Sequence, residues 1–439
     1  MSRKKRVKLS IQKLFCFVSF IFLSVCVLWY GGRTIYFYLD SKKKPENNSL
    51  LIQYILKNNR KTKTFKKVNN EYYFYKNPNN NYITFSNLTW RMIKITKDNK
   101  ILLILDTPIT SLAYGNYKDN FPLQWLNLDS NEKNTGILEN NIKNIDKYLT
   151  KTTSCISNID NLKNIKCKET NNDNYFSLLD LEDYIITGAK DSFINNGYYN
   201  YLINKNKEEI WYINSEGELS TNNGEEIYGI KPVITLKENI NYKKGNGTKD
   251  SPYIIEDENQ LFASYVKLDN DIYRVYNIDG EILKLSLNNY LEINSEKIEH
   301  SYSNNNYFHN DTKYNTLAYY LNKNYYTKLN YKELILTNYY SNYYYGKDNN
   351  YNYKEVLNKK VDTKIYTLSI GDPILNNLNN YFIASGTNEN NSLIYIKEID
   401  GTVTTETVTT EKNIIPCISI NKNKLTKGTG TKSDPYRTE

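Results

Sequence analysis

The chain has 439 residues, enough for two domains of ordinary size, each able to bury a core of its own. Asn, Lys, Ile and Tyr dominate, and the formal charge is +9. Six cations (Arg3, Lys4, Lys5, Arg6, Lys8 and Lys13) precede the first apolar run and more follow just behind it; the remainder is close to neutral, which leaves no electrostatic footprint for nucleic acid.

In chain order, residues 1–13 read as a basic cytoplasmic tail and residues 14–38 as a single transmembrane helix, a signal-anchor. The uncharged run Leu14–Tyr30 is just long enough to span a bilayer, and Trp29, Tyr30, Tyr36 and Tyr38 suit its interface. No small-x-small cleavage pattern follows it. Leu23-Ser24-Val25-Cys26 approaches a lipoprotein box, but Val25 is large for that site and bulky residues follow Cys26. The leading cations would hold the N-terminus inside, which predicts a single-pass cell-membrane protein with everything beyond the helix extracytoplasmic. Residues 39–67 read as a polar stalk with a short helix around Leu50–Leu56.

Strands follow. Glu71–Tyr75 and Tyr82–Phe85 alternate, and Trp90–Ile95 with Lys100–Leu105 forms an apolar hairpin around Lys97-Asp98-Asn99. Leu123–Lys151 is mixed, and Leu178–Thr187 suits a short helix before Gly188. Ile210–Ile213 and Glu218–Ser220 flank Glu216-Gly217, and Val233–Leu236 is a terminal strand. Ile272–Ile278 and Glu281–Leu287 flank Asp279-Gly280, the favoured hairpin dipeptide. Leu393–Ile399 and Thr402–Thr405 do the same around Asp400-Gly401. Tyr302–Tyr353 stands apart with fifteen tyrosines among asparagines; it reads as a loop set, or as an aromatic face for sugars or peptides.

These elements repeat. Gly245–Tyr253 (GNGTKDSPY) returns 183 positions later as Gly428–Tyr436 (GTGTKSDPY). Pro232 answers Pro416 and Gly217 answers Gly401 at 184, and Trp90-Arg91 answers Tyr273-Arg274 at 183. Between these ends the offset drifts: Trp125-Leu126-Asn127 matches Tyr320-Leu321-Asn322 at 195, and Phe176 matches Tyr366 at 190. The pattern predicts two tandem copies of one module, residues 68–256 and 259–437, differing by loop insertions. The fold class expected is α+β: the N-terminal helix, then two strand-rich modules.

Trp90-Arg91-Met92-Ile93, Trp125-Leu126-Asn127, Leu178–Tyr184, Tyr201-Leu202, Trp211 and Lys231–Leu236, with the Gly-x-Gly-Thr tail, resemble a family of bacterial surface domains common in Firmicutes and their wall-less relatives. The resemblance covers most of 68–256 and is faint over 259–437. It implies a module distantly similar to the C-type-lectin-like fold, and transfers no established chemistry. The second copy departs from the pattern with Tyr273 for Trp90, Tyr320 for Trp125 and Tyr395 for Trp211; Lys231 and Ile415 stand where the family has arginine.

The sequence holds no nucleophile elbow, phosphate loop, zinc signature or calcium loop, so neither cofactor nor metal is expected. His300 and His309 are the only histidines, both in the Tyr/Asn-rich stretch. Cys155 and Cys167 predict a disulfide; zinc would need two further ligands. Cys417 answers Val233 in an apolar strand and reads as a buried thiol. Glycoside chemistry needs two carboxylates, and Glu182/Asp183 with Glu208/Glu209 are the candidates. The candidate ligand-binding residues are Trp90, Arg91, Trp125, Glu182, Asp183, Trp211 and Lys231, with Glu182 and Asp372 as expected partners for Arg91 and Arg274. The function expected is that of a membrane-anchored binding or cell-envelope interaction protein, with a cell-wall glycan or a protein as ligand. A carboxylate-dependent surface enzyme and a structural spacer are the alternatives.

Overall fold

A computed structural model describes residues 50–115, 121–129, 135–255, 260–347, 350–351, 354–387 and 390–438. Each half is built on a sheet whose centre is the predicted apolar hairpin. In the first half the order is Tyr253–Ile254, Tyr82–Phe85, Leu88–Ile95, Ile101–Leu105, Val233–Leu236. In the second it is Tyr436–Arg437, Tyr265–Leu268, Asp271–Asp279, Ile282–Leu287, Pro416–Asn421. The first pair is parallel in both sheets and the rest antiparallel. Ile101–Leu105 is buried at every position, as a continuous apolar run demands when both faces are covered.

The halves agree down to their irregularities. A β-bulge leaves Ile93 as the extra residue opposite Leu103 and Leu102, and Tyr276 as the extra residue opposite Leu285 and Lys284. A second sheet repeats as well. Leu219–Asn222, Glu209–Ile213, Asn200–Asn206, Tyr228–Ile230, Thr110–Leu112 corresponds to Val403–Thr407, Leu393–Lys397, Tyr381–Gly386, Glu411–Asn413, Glu299–Ser301, with the parallel pair at the same place in each. The tail turns explain their glycines. Gly245 has φ +99° and a Cβ there would lie 1.9 Å from the Pro252 carbonyl; Gly428 has φ +91° and the distance is 2.1 Å to Pro435.

The drifting middle also resolves. Asn127 donates to Leu123 O and Phe176 O and accepts from Phe176 N; Asn322 donates to Ala318 O and Ile365 O and accepts from Ile365 N. Phe176 therefore corresponds to Ile365, not Tyr366, and Ser177, bridged to Val233, corresponds to Tyr366, paired with Cys417. Continuing at that offset, Asp183 corresponds to Asp372.

The copies differ just upstream of this point. The first carries the Cys155–Cys167 disulfide, with Cα atoms 5.7 Å apart, and a minimal strand pair, Ser154–Cys155 with Thr170–Asn171. The second carries a long hairpin, Asn338–Tyr344 with Lys354–Thr363, which adds to the second sheet beside Tyr381–Gly386. The tyrosine-rich stretch is thus largely structure: Tyr302, Tyr325, Tyr331, Tyr340 and Tyr345 are buried. Cys417 is a buried free thiol.

Two expectations need correction. The fold is not an α+β arrangement led by a transmembrane helix: strands outweigh helices 37% to 15%, spread over several sheets. The longest described helix, Leu51–Asn59, has nine residues, about 14 Å at 1.5 Å per residue, under half a bilayer core. Among the described residues no helix is long and apolar enough to cross a membrane, which removes the structural footing for the transmembrane, signal-anchor and single-pass cell-membrane assignments. The basic tail and the expected helix at 14–38 lie outside the described residues. Leu51–Asn59, read as part of a stalk, instead packs Leu51, Ile52 and Ile55 into the core, with Leu51 N donating to Ile240 O.

Candidate functional site: a groove between the halves

The two halves share one continuous hydrophobic core. Their seam is stitched by polar contacts: Asn87 Nδ2 donates to Gln260 O and Phe262 O (2.8 and 2.9 Å), Ser111 Oγ to Gly401 O (2.6 Å), and Ala113 N to the Tyr345 hydroxyl (3.0 Å). Ile374 N donates to Ile109 O (2.6 Å) and Tyr199 N to Asp400 O (2.9 Å).

Along this seam lies a groove of about 560 Å³ whose walls come from both halves. Arg91 and Arg274, equivalent residues of the two copies, both line it. Each guanidinium lies over a tyrosine ring, Arg91 over Tyr82 at 3.9 Å and Arg274 over Tyr265 at 4.2 Å, and each donates to that tyrosine's hydroxyl. Both are buried and pushed down by that burial. Their company differs. Arg91 has Asp106 at 3.5 Å and donates to Asn81 Oδ1 and Pro78 O. Arg274 donates to Ala263 O and Leu375 O, and among the described residues no carboxylate comes within 4 Å of it. The reason is a single difference: Asp106 N is bonded to Thr89 O and Asn288 N to Ile272 O, so Asn288 stands in the place of Asp106.

Lys231 lies behind the groove wall, bonded to its Asn196. It is 3% exposed, donates to Ile194 O and to Asn196 Oδ1 on the groove wall, and is pushed down to about 8 by burial, against the pull of Asp106 and with the push of Arg91. With Lys249 on the rim, the groove walls carry three cations against one carboxylate. A buried guanidinium without a counter-charge is costly unless an anion supplies it, and the planar fork of Arg274 suits a carboxylate or phosphate.

The structure brings Arg91 and Lys231 together and scatters the other candidates. Trp90 is fully buried with its indole N–H on Phe85 O, and Trp211 is buried with its own on Ile159 O. Trp125 is buried at the seam, donating to Gly371 O (2.8 Å). Glu182 and Asp183 belong to another cleft beside the disulfide. There Asp183 accepts from Lys94 Nζ (2.8 Å) and the Tyr73 hydroxyl (2.7 Å), while Asp180 caps the helix Leu181–Thr187 through Asp183 N. Asp180 is pushed up to about 7 by burial and by Asp183. These acids tie the helix to the sheet, and Glu208 and Glu209 sit exposed on a hairpin away from them. The expected Arg91–Glu182 and Arg274–Asp372 pairs do not form. Sequence reasoning missed Asp106, Tyr82 and Tyr265; aligning Asp106 with Asn288 at offset 182 was the available signal. No family model, curated protein or solved structure matches the chain.

Proposed function

We propose that the protein is a binding protein whose two modules together hold a carboxylate- or phosphate-bearing ligand in the groove between them. The observation that carries this is Arg274: a buried cation that meets no carboxylate within 4 Å among the described residues, fixed over Tyr265 and facing the same space as Arg91. Its three bonds go to neutral oxygens, so its charge is available to a ligand. Tyr82, Tyr198 and Tyr265 add aromatic wall, which suits a ligand with a ring or apolar body beside its acidic group. Acidic glycans and peptides with a free carboxylate are the ligand classes this reading draws on.

The test is calorimetric titration of the protein with acidic oligosaccharides, peptides with a free C-terminal carboxylate, and the same peptides amidated. Binding that requires the acidic group and weakens at least tenfold in Arg274→Gln is the expected result. Binding indifferent to the acidic group, or unchanged in Arg274→Gln, contradicts the proposal.

A further inference from the structure

A second cavity, of about 250 Å³, opens at a different part of the seam, lined mainly by the second half with Trp125 and Ile137 of the first. Its floor is a rigid hydroxyl network: the Tyr340 hydroxyl lies 2.7 Å from Ser369 Oγ, the Tyr366 hydroxyl 3.0 Å from Ser419 Oγ, and Tyr276 donates to Tyr366 at 3.3 Å. These groups satisfy one another. The groups above them do not. Asp372 accepts Ser369 N through Oδ2 and, among the described residues, meets no cation within 4 Å. Lys284 lines the same cavity and stays outside ion-pair range of it. Asn277 uses Oδ1 to accept from Asn141 Nδ2 and Ile278 N, and among the described residues neither its Nδ2 nor the Asn338 side chain has a hydrogen-bond partner. At the rim stands Tyr339, 64% exposed.

We infer that this cavity is a subsite for one neutral sugar ring, held between the Tyr339 ring and the polar wall of Asp372, Asn277, Asn338 and Lys284. The volume is below that of ordinary drug-sized pockets and suits a single ring. A pyranose offers an apolar face to an aromatic ring and vicinal hydroxyls that donate and accept at once. The wall answers with an acceptor in Asp372, donors in Asn277 and Lys284, and both in Asn338. One carboxylate and one ammonium leave the wall without net charge, which favours a neutral ligand over an ion. The unbridged gap between Asp372 and Lys284 is the space such a ligand would fill. The inference stands apart from the groove: it uses neither arginine.

Saturation-transfer NMR on the full chain with glucose and with N-acetylglucosamine tests it. Transfer to ring protons is expected for at least one of them, with affinity about tenfold lower in Tyr339→Ala, a loss near 1.4 kcal/mol. Tyr339 is a surface ring, so this variant keeps its fold, which its unfolding midpoint checks. Arg274→Gln should bind the sugar as the wild type does. Absence of transfer from both sugars, or transfer unchanged in Tyr339→Ala, overturns the inference.

Discussion

Arg91 and Arg274 sit at the same register position of equivalent strands in the two halves, over equivalent tyrosines, and their partners differ. Arg91 is neutralised by Asp106 inside its own module, so it holds the fold together. In the second half Asn288 takes the place of Asp106, and among the described residues Arg274 meets no carboxylate within 4 Å. A duplicated scaffold can thus hold geometry constant while one side-chain change removes the partner of a buried cation. The same contrast recurs upstream, where the first half uses a disulfide and the second a hairpin built from Asn338–Thr363.

Several measurements would break or sharpen this comparison. The largest effect belongs to the disulfide. A loop with 12 residues of separation should lose about 3 kcal/mol in Cys155→Ser/Cys167→Ser, in the chain-entropy account. Hydrogen exchange should place the loosening in the first half; uniform loosening of both would show that the halves do not hold themselves independently.

Next comes the arginine pair. Arg91→Met strands Asp106 beside a buried site and should cost about 2 kcal/mol, less than a fully buried pair because Asp106 retains some exposure. Arg274→Met breaks no ion pair among the described residues and should cost less than about 1 kcal/mol, measured by denaturant unfolding. Equal losses would mean that the two arginines are both structural.

A smaller effect belongs to Lys231, whose counterpart is Ile415. Its folded-state value of about 8 lies below the unfolded value near 10.4. Between these values the unfolded chain binds more protons than the folded one. Stability should therefore rise as pH increases from 8 toward 10, by up to about 1 kcal/mol per unit. Lys231→Met should abolish that rise. A rise that persists in the variant would assign it to another group.

What was legible beforehand was local. The hairpins around Asp279-Gly280, Glu216-Gly217 and Asp400-Gly401, the glycine tails and the Cys155–Cys167 bridge all rest on residues close in sequence. The duplication was legible because turns tolerate little substitution where φ is positive, as at Gly245 and Gly428. The site was not. Arg91 and Lys231 were singled out, but their meeting point depends on Asp106 and Asn196, and Arg274 reaches Leu375 across 101 positions. Trp125 gave no sign that its indole would close the seam on Gly371, because aromatic burial looks alike in a module core and between modules. The expected α+β balance failed for a related reason: Leu123–Lys151, read as mixed and partly helical, holds helices of only four to six residues, so strands dominate.

The central claim, that the Arg274 charge is there for a ligand, is tested most directly by thermal unfolding with an anion present. Inorganic phosphate and chloride at equal ionic strength should be compared in the wild type and in Arg274→Met. A ligand of the folded state raises stability by mass action, so phosphate should raise the midpoint of the wild type progressively above chloride and lose that advantage in Arg274→Met. The same phosphate advantage in both proteins would contradict the account.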